Sequence, residues 1–138
     1  MVDRDIVVAK VATIDRCLHR IAEVQAASGK LSPIDIEDIT VLNVTRAAQA
    51  AIDLATHVVT TEGYGLPDTV ASTFVLLAKH GVINETLAER MRKMVGFRNI
   101  AVHGYETLDS NVIRAIVGHH LGDVRDFARA VVDKFEQV

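Results

Sequence analysis

The segment from Ser32 to about Thr61 constrains the chain most. Ile36, Ile39, Val44, Ala47, Ala51, Leu54, Ala55 and Val58 fall along one side of it at helical spacing, and an apolar stripe that long must be covered by other elements. Ser32 suits an N-cap, Pro33 the first helical position, and Asp35 the positive end of the helix dipole. Thr40, Val41, Val44 and Thr45 are β-branched and would also fit a strand. The Ala-rich run from Arg46 to Ala55 argues the other way, and we read one helix.

The remaining interruptions divide the chain into further helical lengths. Asp5 to about Ala27 carries Val8, Val11, Ala12, Leu18, Ile21 and Ala22 at steps of mostly three and four, closed by Ser28-Gly29. Glu62-Gly63-Tyr64-Gly65-Leu66-Pro67 is the clearest loop. A short helix is expected from Asp68 to His80, stopped by Gly81. Asn84 caps the next, which carries Leu87, Met91, Met94, Val95 and Ala101 and ends near Gly104. Asp109 or Ser110 opens the last, through Ile113, Ile116, Leu121, Val124, Phe127 and Val131. Five helical segments with short connections predict an all-α, up-and-down helical bundle of about five helices. At 138 residues, one domain spanning residues 1–138 is expected.

Composition removes several classes. With 49% hydrophobic and 24% charged residues, the chain is not intrinsically disordered. Cys17 is the single cysteine, so no intrachain disulfide staples the fold. The net charge of −3 removes the simplest electrostatic case for a nucleic-acid binder, without excluding a local patch. No apolar run approaches a membrane span, and Met1 to Lys10 lacks the ordered regions of a signal peptide. These features point to a reducing cytoplasm. Aromatic residues make up 4% and Trp is absent, so the helices are expected to approach closely.

The chemistry concentrates in Met94-Val95-Gly96-Phe97-Arg98-Asn99-Ile100-Ala101-Val102-His103-Gly104-Tyr105. Leu87, Met91, Met94, Arg98, Ala101 and Tyr105 step by four and three, which puts Arg98 on the extension of the buried stripe. A guanidinium there is costly unless it is paired or faces a groove. The ordinary outcome is an inter-helix salt bridge, and for His103 a place at the negative end of the helix dipole. The combination argues for more. Arg98, Asn99, His103 and Tyr105 bring a fixed cation, an amide, an acid/base near neutrality and a phenol into eight residues. RNA phosphodiester cleavage uses such groups: an imidazole moves the proton, and a guanidinium holds the phosphate. It needs neither metal nor cofactor. Arg98 and His103 differ by roughly 140° around a continuous helix, so they meet on one phosphate only if Gly104 breaks the helix early or a second copy contributes. A symmetric homodimer would assemble such a groove.

The run resembles the Arg, four residues, His, one residue, Tyr motif of the HepT toxins, which are HEPN-domain proteins of prokaryotic MNT–HEPN toxin–antitoxin modules. The resemblance extends to Asn43 through Arg46, Gln49, Asp53 and His57, to Gly65-Leu66-Pro67, and to Phe97-Arg98-Asn99. It implies a HEPN-like bundle and a metal-independent endoribonuclease toxin of a type VII-like module. Such a toxin works on tRNA or mRNA as a homodimer. Arg98 and His103 match the catalytic pair, and Asn99 the polar residue beside it. Tyr105 matches the tyrosine to which a minimal nucleotidyltransferase antitoxin transfers AMP from ATP. Gly104 would leave Tyr105 free to enter the other enzyme's site. The alternative is a non-catalytic HEPN-like protein that binds RNA or the nucleotidyltransferase through the same surface.

Other residues carry less. From Asn84 to Tyr105, Arg90, Arg92, Lys93 and Arg98 outnumber Glu85 and Glu89. Arg90 and Lys93 are candidate RNA contacts, or simply ion-paired surface residues. Arg46 is a further candidate contact, and Asp53 a salt-bridge partner for Arg46 or Arg98. The scattered histidines make a metal site improbable, Cys17 reads as a core residue, and Gly63-Tyr64-Gly65 reads as a turn.

Overall fold

The structure, a computed structural model, describes residues 1–135. It contains six α-helices: α1 (Arg4–Ala26), α2 (Pro33–Glu62), α3 (Ser72–Lys79), α4 (Glu85–His103), α5 (Ser110–His119) and α6 (Leu121–Phe135). A single 3-10 turn, Tyr105–Thr107, links α4 to α5. Among the described residues no strand forms, only an isolated bridge between Ser28 and Leu31. No helix is long and apolar enough to cross a membrane.

Side-chain caps set most of the helix starts. Ser32 Oγ accepts from the Asp35 amide, Asn84 Oδ1 from Leu87 and Asp109 Oδ1 from Asn111, each satisfying an amide with no partner inside the helix. The first helix begins one residue earlier than its apolar spacing suggests, because Asp3 accepts from the Asp5 and Ile6 amides. α2 ends at Gly63, whose φ of +67° is the left-handed value that favours glycine.

Two boundaries differ from expectation. The third helix starts at Ser72 rather than Asp68. Thr69 and Ser72 bond each other's amides through their hydroxyls at 2.9 and 3.1 Å, which holds the preceding residues in a turn. The last expected helix is two, broken at His120. Gly118 and Gly122 flank the break and weaken helix propensity on both sides. The buried Asp123 takes the His120 ring at 3.1 Å and the Asp123 amide bonds the His120 carbonyl, so the turn closes on itself.

α2 is the central helix, packed against α1, α3, α4, α5 and α6. Its Val44, Ala47, Ala51, Leu54, Ala55 and Val58 are buried as the periodicity requires. The α1 stripe is rotated from its expected position: Val7, Ile14, Cys17, Leu18, Ile21 and Val24 are buried, while Val8 is half exposed. Phe74 of α3 and Phe127 of α6 meet edge to face, ring centroids 5.3 Å apart, and both are fully buried.

Candidate active site

α4 runs unbroken to His103, so Arg98 and Asn99 stand in its last turns. Met91, Met94 and Ala101 are buried, and Arg98 occupies the seam between them in a half-buried position. Its Nη1 donates to Asn99 Oδ1 at 2.8 Å. Its Nε is buried without an acceptor. Among the described residues no carboxylate pairs with it, so the salt bridge ordinarily expected of a seam arginine is absent. Asp53, weighed as that partner for Arg98 or Arg46, instead accepts from Lys10 Nζ at 3.0 Å and from Gln49 Nε2 at 2.8 Å. A guanidinium with a buried N–H and no counter-charge is held at a cost that a bound anion would remove.

His103 is the last residue of α4 and is exposed. Because the helix is continuous, its imidazole leaves roughly 140° around the axis from Arg98. The early break at Gly104 does not occur, which leaves a second copy as the other route to a shared phosphate that the sequence offered. Gly104 has φ −153°, an extended value open to any residue, so backbone freedom is not what it supplies. It supplies space: a Cβ there would approach Thr107 Oγ1 to 3.1 Å.

Tyr105 is not free either. Its hydroxyl donates to the Asp38 carboxylate of α2. That bond, then partial burial, then the charges of Asp38 and Glu37 push its pKa up to about 12. Tyr105 and Ala101 wall one side of a cleft of about 320 Å³, and Asp38, Val41, Leu42 and Thr45 wall the other. Sequence reasoning missed Asp38, which lies 67 residues from its partner. One signal existed: no cation stands three or four residues from it on its own helix, so its carboxylate was open to a distant donor.

Of the outlying basic residues, Arg90 reaches the buried Asp123 at 3.4 Å and Arg92 reaches Glu89 at 2.9 Å, the ordinary surface role. Lys93 and Arg46 have no carboxylate partner among the described residues, and both are exposed. His119 ends α5 and His120 caps it. Among the described residues no three His, Cys, Asp or Glu side chains gather as metal ligands would. Cys17 is buried in the core, and burial pushes its thiol pKa up. Tyr64 lies in the turn after α2 and stacks on His80 with centroids 4.1 Å apart.

A family model described as Ribonuclease HepT-like matches residues 13–131. The chain is similar to the mRNA nuclease HepT of Shewanella oneidensis, at 37% identity over 124 residues, covering 89% of this chain and 93% of that protein. Its fold matches a tri-AMPylated Shewanella oneidensis HEPN toxin in complex with an MNT antitoxin. The TM-score is 0.87 at 36% identity, over 95% of this chain and 99% of that one. It also matches a toxin–antitoxin structure with AMP-PNP, with a TM-score of 0.86 at 35% identity, over 94% of this chain and 99% of that one. The all-helical frame therefore has its counterpart in known proteins, and the chain belongs to the Ribonuclease HepT-like family.

Proposed function

We propose that this protein is the endoribonuclease toxin of a type VII-like toxin–antitoxin module, acting as a homodimer of one helical domain per chain in the cytoplasm. The observation that carries the reading is Arg98: half-buried on the seam of α4, without a carboxylate, and with a buried Nε that lacks an acceptor. A phosphodiester supplies the missing negative charge, and the planar guanidinium suits it. Asn99 Oδ1 holds the guanidinium in place.

His103 supplies the acid/base group, exchanging a proton with the 2′-hydroxyl or the leaving oxygen. The attacking oxygen is the substrate's own, so the chemistry needs no metal. Because Arg98 and His103 leave α4 on different sides, each reaction centre takes the arginine of one copy and the histidine of the other. Half-exposed Ile100 and Val102 on the same turns offer the apolar surface for that pairing. Lys93 and Arg46 are free to contact RNA phosphates. Arg90 does so only by sharing its guanidinium with Asp123.

The partner is an MNT-type nucleotidyltransferase that silences the toxin by moving AMP from ATP to the Tyr105 hydroxyl. Attached phosphate would bring negative charge and bulk to the cleft of Tyr105, seven residues from Arg98, competing with RNA. The name of the Shewanella oneidensis relative makes messenger RNA the first substrate to try, with tRNA beside it.

Replacing His103 with Ala tests the enzyme reading. Cleavage of RNA by the purified protein should fall by about 10²–10⁴-fold, the usual worth of a general acid or base, with the circular dichroism spectrum kept. Undiminished cleavage would remove His103 from the mechanism. A wild type that binds RNA and cleaves none would leave the non-catalytic reading.

A further inference from the structure

One large concavity lies away from the motif. It is a groove of about 730 Å³ between α1 and α2. Lys10, Arg16 and Arg20 reach it from α1 and Arg46 from α2, against Glu23 and Asp53, in a chain whose net charge is −3. Two of these cations are already engaged: Lys10 with Asp53 at 3.0 Å, and Arg20 with Glu23 at 3.9 Å. Arg16 and Arg46 have no carboxylate partner among the described residues, and both are exposed. Arg16 lines the groove from α1 and Arg46 from α2, and the buried Cys17 lines it as well. On the α2 wall, Gln49 leaves a buried Oε1 without a donor.

The groove adjoins the cleft of Tyr105. Leu42, half exposed on α2, lines both the groove and the cleft of Ala101 and Tyr105. The two unpaired guanidiniums line the groove on one side of Leu42, and the Tyr105 cleft opens on the other. A polyanion lying in the Tyr105 cleft and continuing past Leu42 would meet Arg46 and Arg16.

We propose that the α1–α2 groove is a second phosphate-binding stretch, in which Arg16 and Arg46 hold the RNA strand on one side of the scissile bond. The proposal rests on the ribonuclease reading and adds the α1 wall to it. Guanidiniums without counter-charge attract phosphate through space and grip it in a fork. The walls between them carry uncharged hydrogen-bonding groups, Thr13, Asn43 and Gln49, which suit a ribose–phosphate chain.

The test uses the full-length protein carrying His103→Ala, so that RNA is bound and not consumed. Fluorescence anisotropy with a labelled single-stranded RNA is measured over a range of salt, with and without Arg16→Ala and Arg46→Ala. Removing both guanidiniums should weaken binding about tenfold and flatten the log–log salt dependence by about 1.4, two contacts on a single strand. In the cleaving protein the same pair of changes should raise KM more than it lowers kcat, and lysines at both positions should restore much of the loss. Affinity and salt slope that stay unchanged, while the wild type still cuts RNA, would overturn the groove and leave the ribonuclease standing. If the double variant keeps its RNA affinity and instead loses the nucleotidyltransferase, the groove is a protein dock and the proposal fails. If wild type and His103→Ala alike bind no RNA, the ribonuclease reading falls and takes the groove with it.

Discussion

The Tyr105 hydroxyl donates its hydrogen bond to the Asp38 carboxylate, tying the turn after α4 to the first third of α2. The carboxylate raises the cost of forming tyrosinate, and Tyr105 titrates at about 12 instead of near 10. A nucleophile held this way does not lose its proton to solvent at neutral pH. In the proposed AMP transfer, Asp38 would take the phenol proton as the oxygen attacks the α-phosphorus of ATP and pyrophosphate leaves.

The titration itself is the first prediction. Tyr64 is the other tyrosine, so in Tyr64→Phe the ultraviolet absorbance of tyrosinate reports Tyr105 alone. It should rise near pH 12, and Asp38→Asn should bring it back toward 10. The folded state favours the protonated phenol, so its stabilisation is complete below pH 10 and is lost as pH climbs from 10 through 12. Urea unfolding across that window should show stability falling with pH, and a shallower fall in Asp38→Asn. An unchanged midpoint in Asp38→Asn would show that the hydrogen bond does not govern Tyr105.

The packing makes a second prediction. Phe127 is fully buried and meets Phe74 edge to face. Phe127→Ala should cost about 3–5 kcal/mol, since the lost burial is joined by a cavity the helices cannot close. Leu66, 95% exposed in the loop after α2, should tolerate Ala within about 0.5 kcal/mol. Urea denaturation of both variants checks the contrast.

The helical class and several caps were readable because each depends on a few neighbouring residues. Ser32, Asn84 and Asp109 cap where their local sequence places them. The break at His120 was not readable, because it is held by Asp123, a buried carboxylate that also takes Arg90 from another helix. At the site, the seam spacing singled out Arg98 and left a salt-bridge partner open, and none is found among the described residues. Asp53 was the natural candidate until Lys10, 43 residues away, claimed it. Asp38 and the α1 wall of the groove are contacts between distant stretches of chain, which periodicity along one helix does not report.

The modification makes a third prediction. Incubated with ATP and a cognate nucleotidyltransferase, the protein should gain the mass of AMP at Tyr105, and Tyr105→Phe should gain none there. Asp38→Asn should slow the transfer while leaving the site of attachment unchanged, because the hydroxyl remains and its proton acceptor is weakened. Mass spectrometry of the tryptic peptide gives both readouts. Equal rates in wild type and Asp38→Asn would mean that the partner enzyme supplies the acceptor.

The last prediction follows from the unbroken α4. Arg98 and His103 leave it roughly 140° apart, so in the proposed homodimer a working centre would draw one residue from each copy. Arg98→Ala and His103→Ala proteins, each inactive alone, should therefore recover cleavage when mixed and allowed to exchange subunits. Random exchange puts half of the chains in mixed dimers, and each mixed dimer rebuilds one of its two centres with both residues intact. Recovered activity should approach about a quarter of wild type. Cleavage assayed before and after exchange separates the models: if each centre takes both residues from one chain, every chain in the mixture lacks one of them and the activity stays at background.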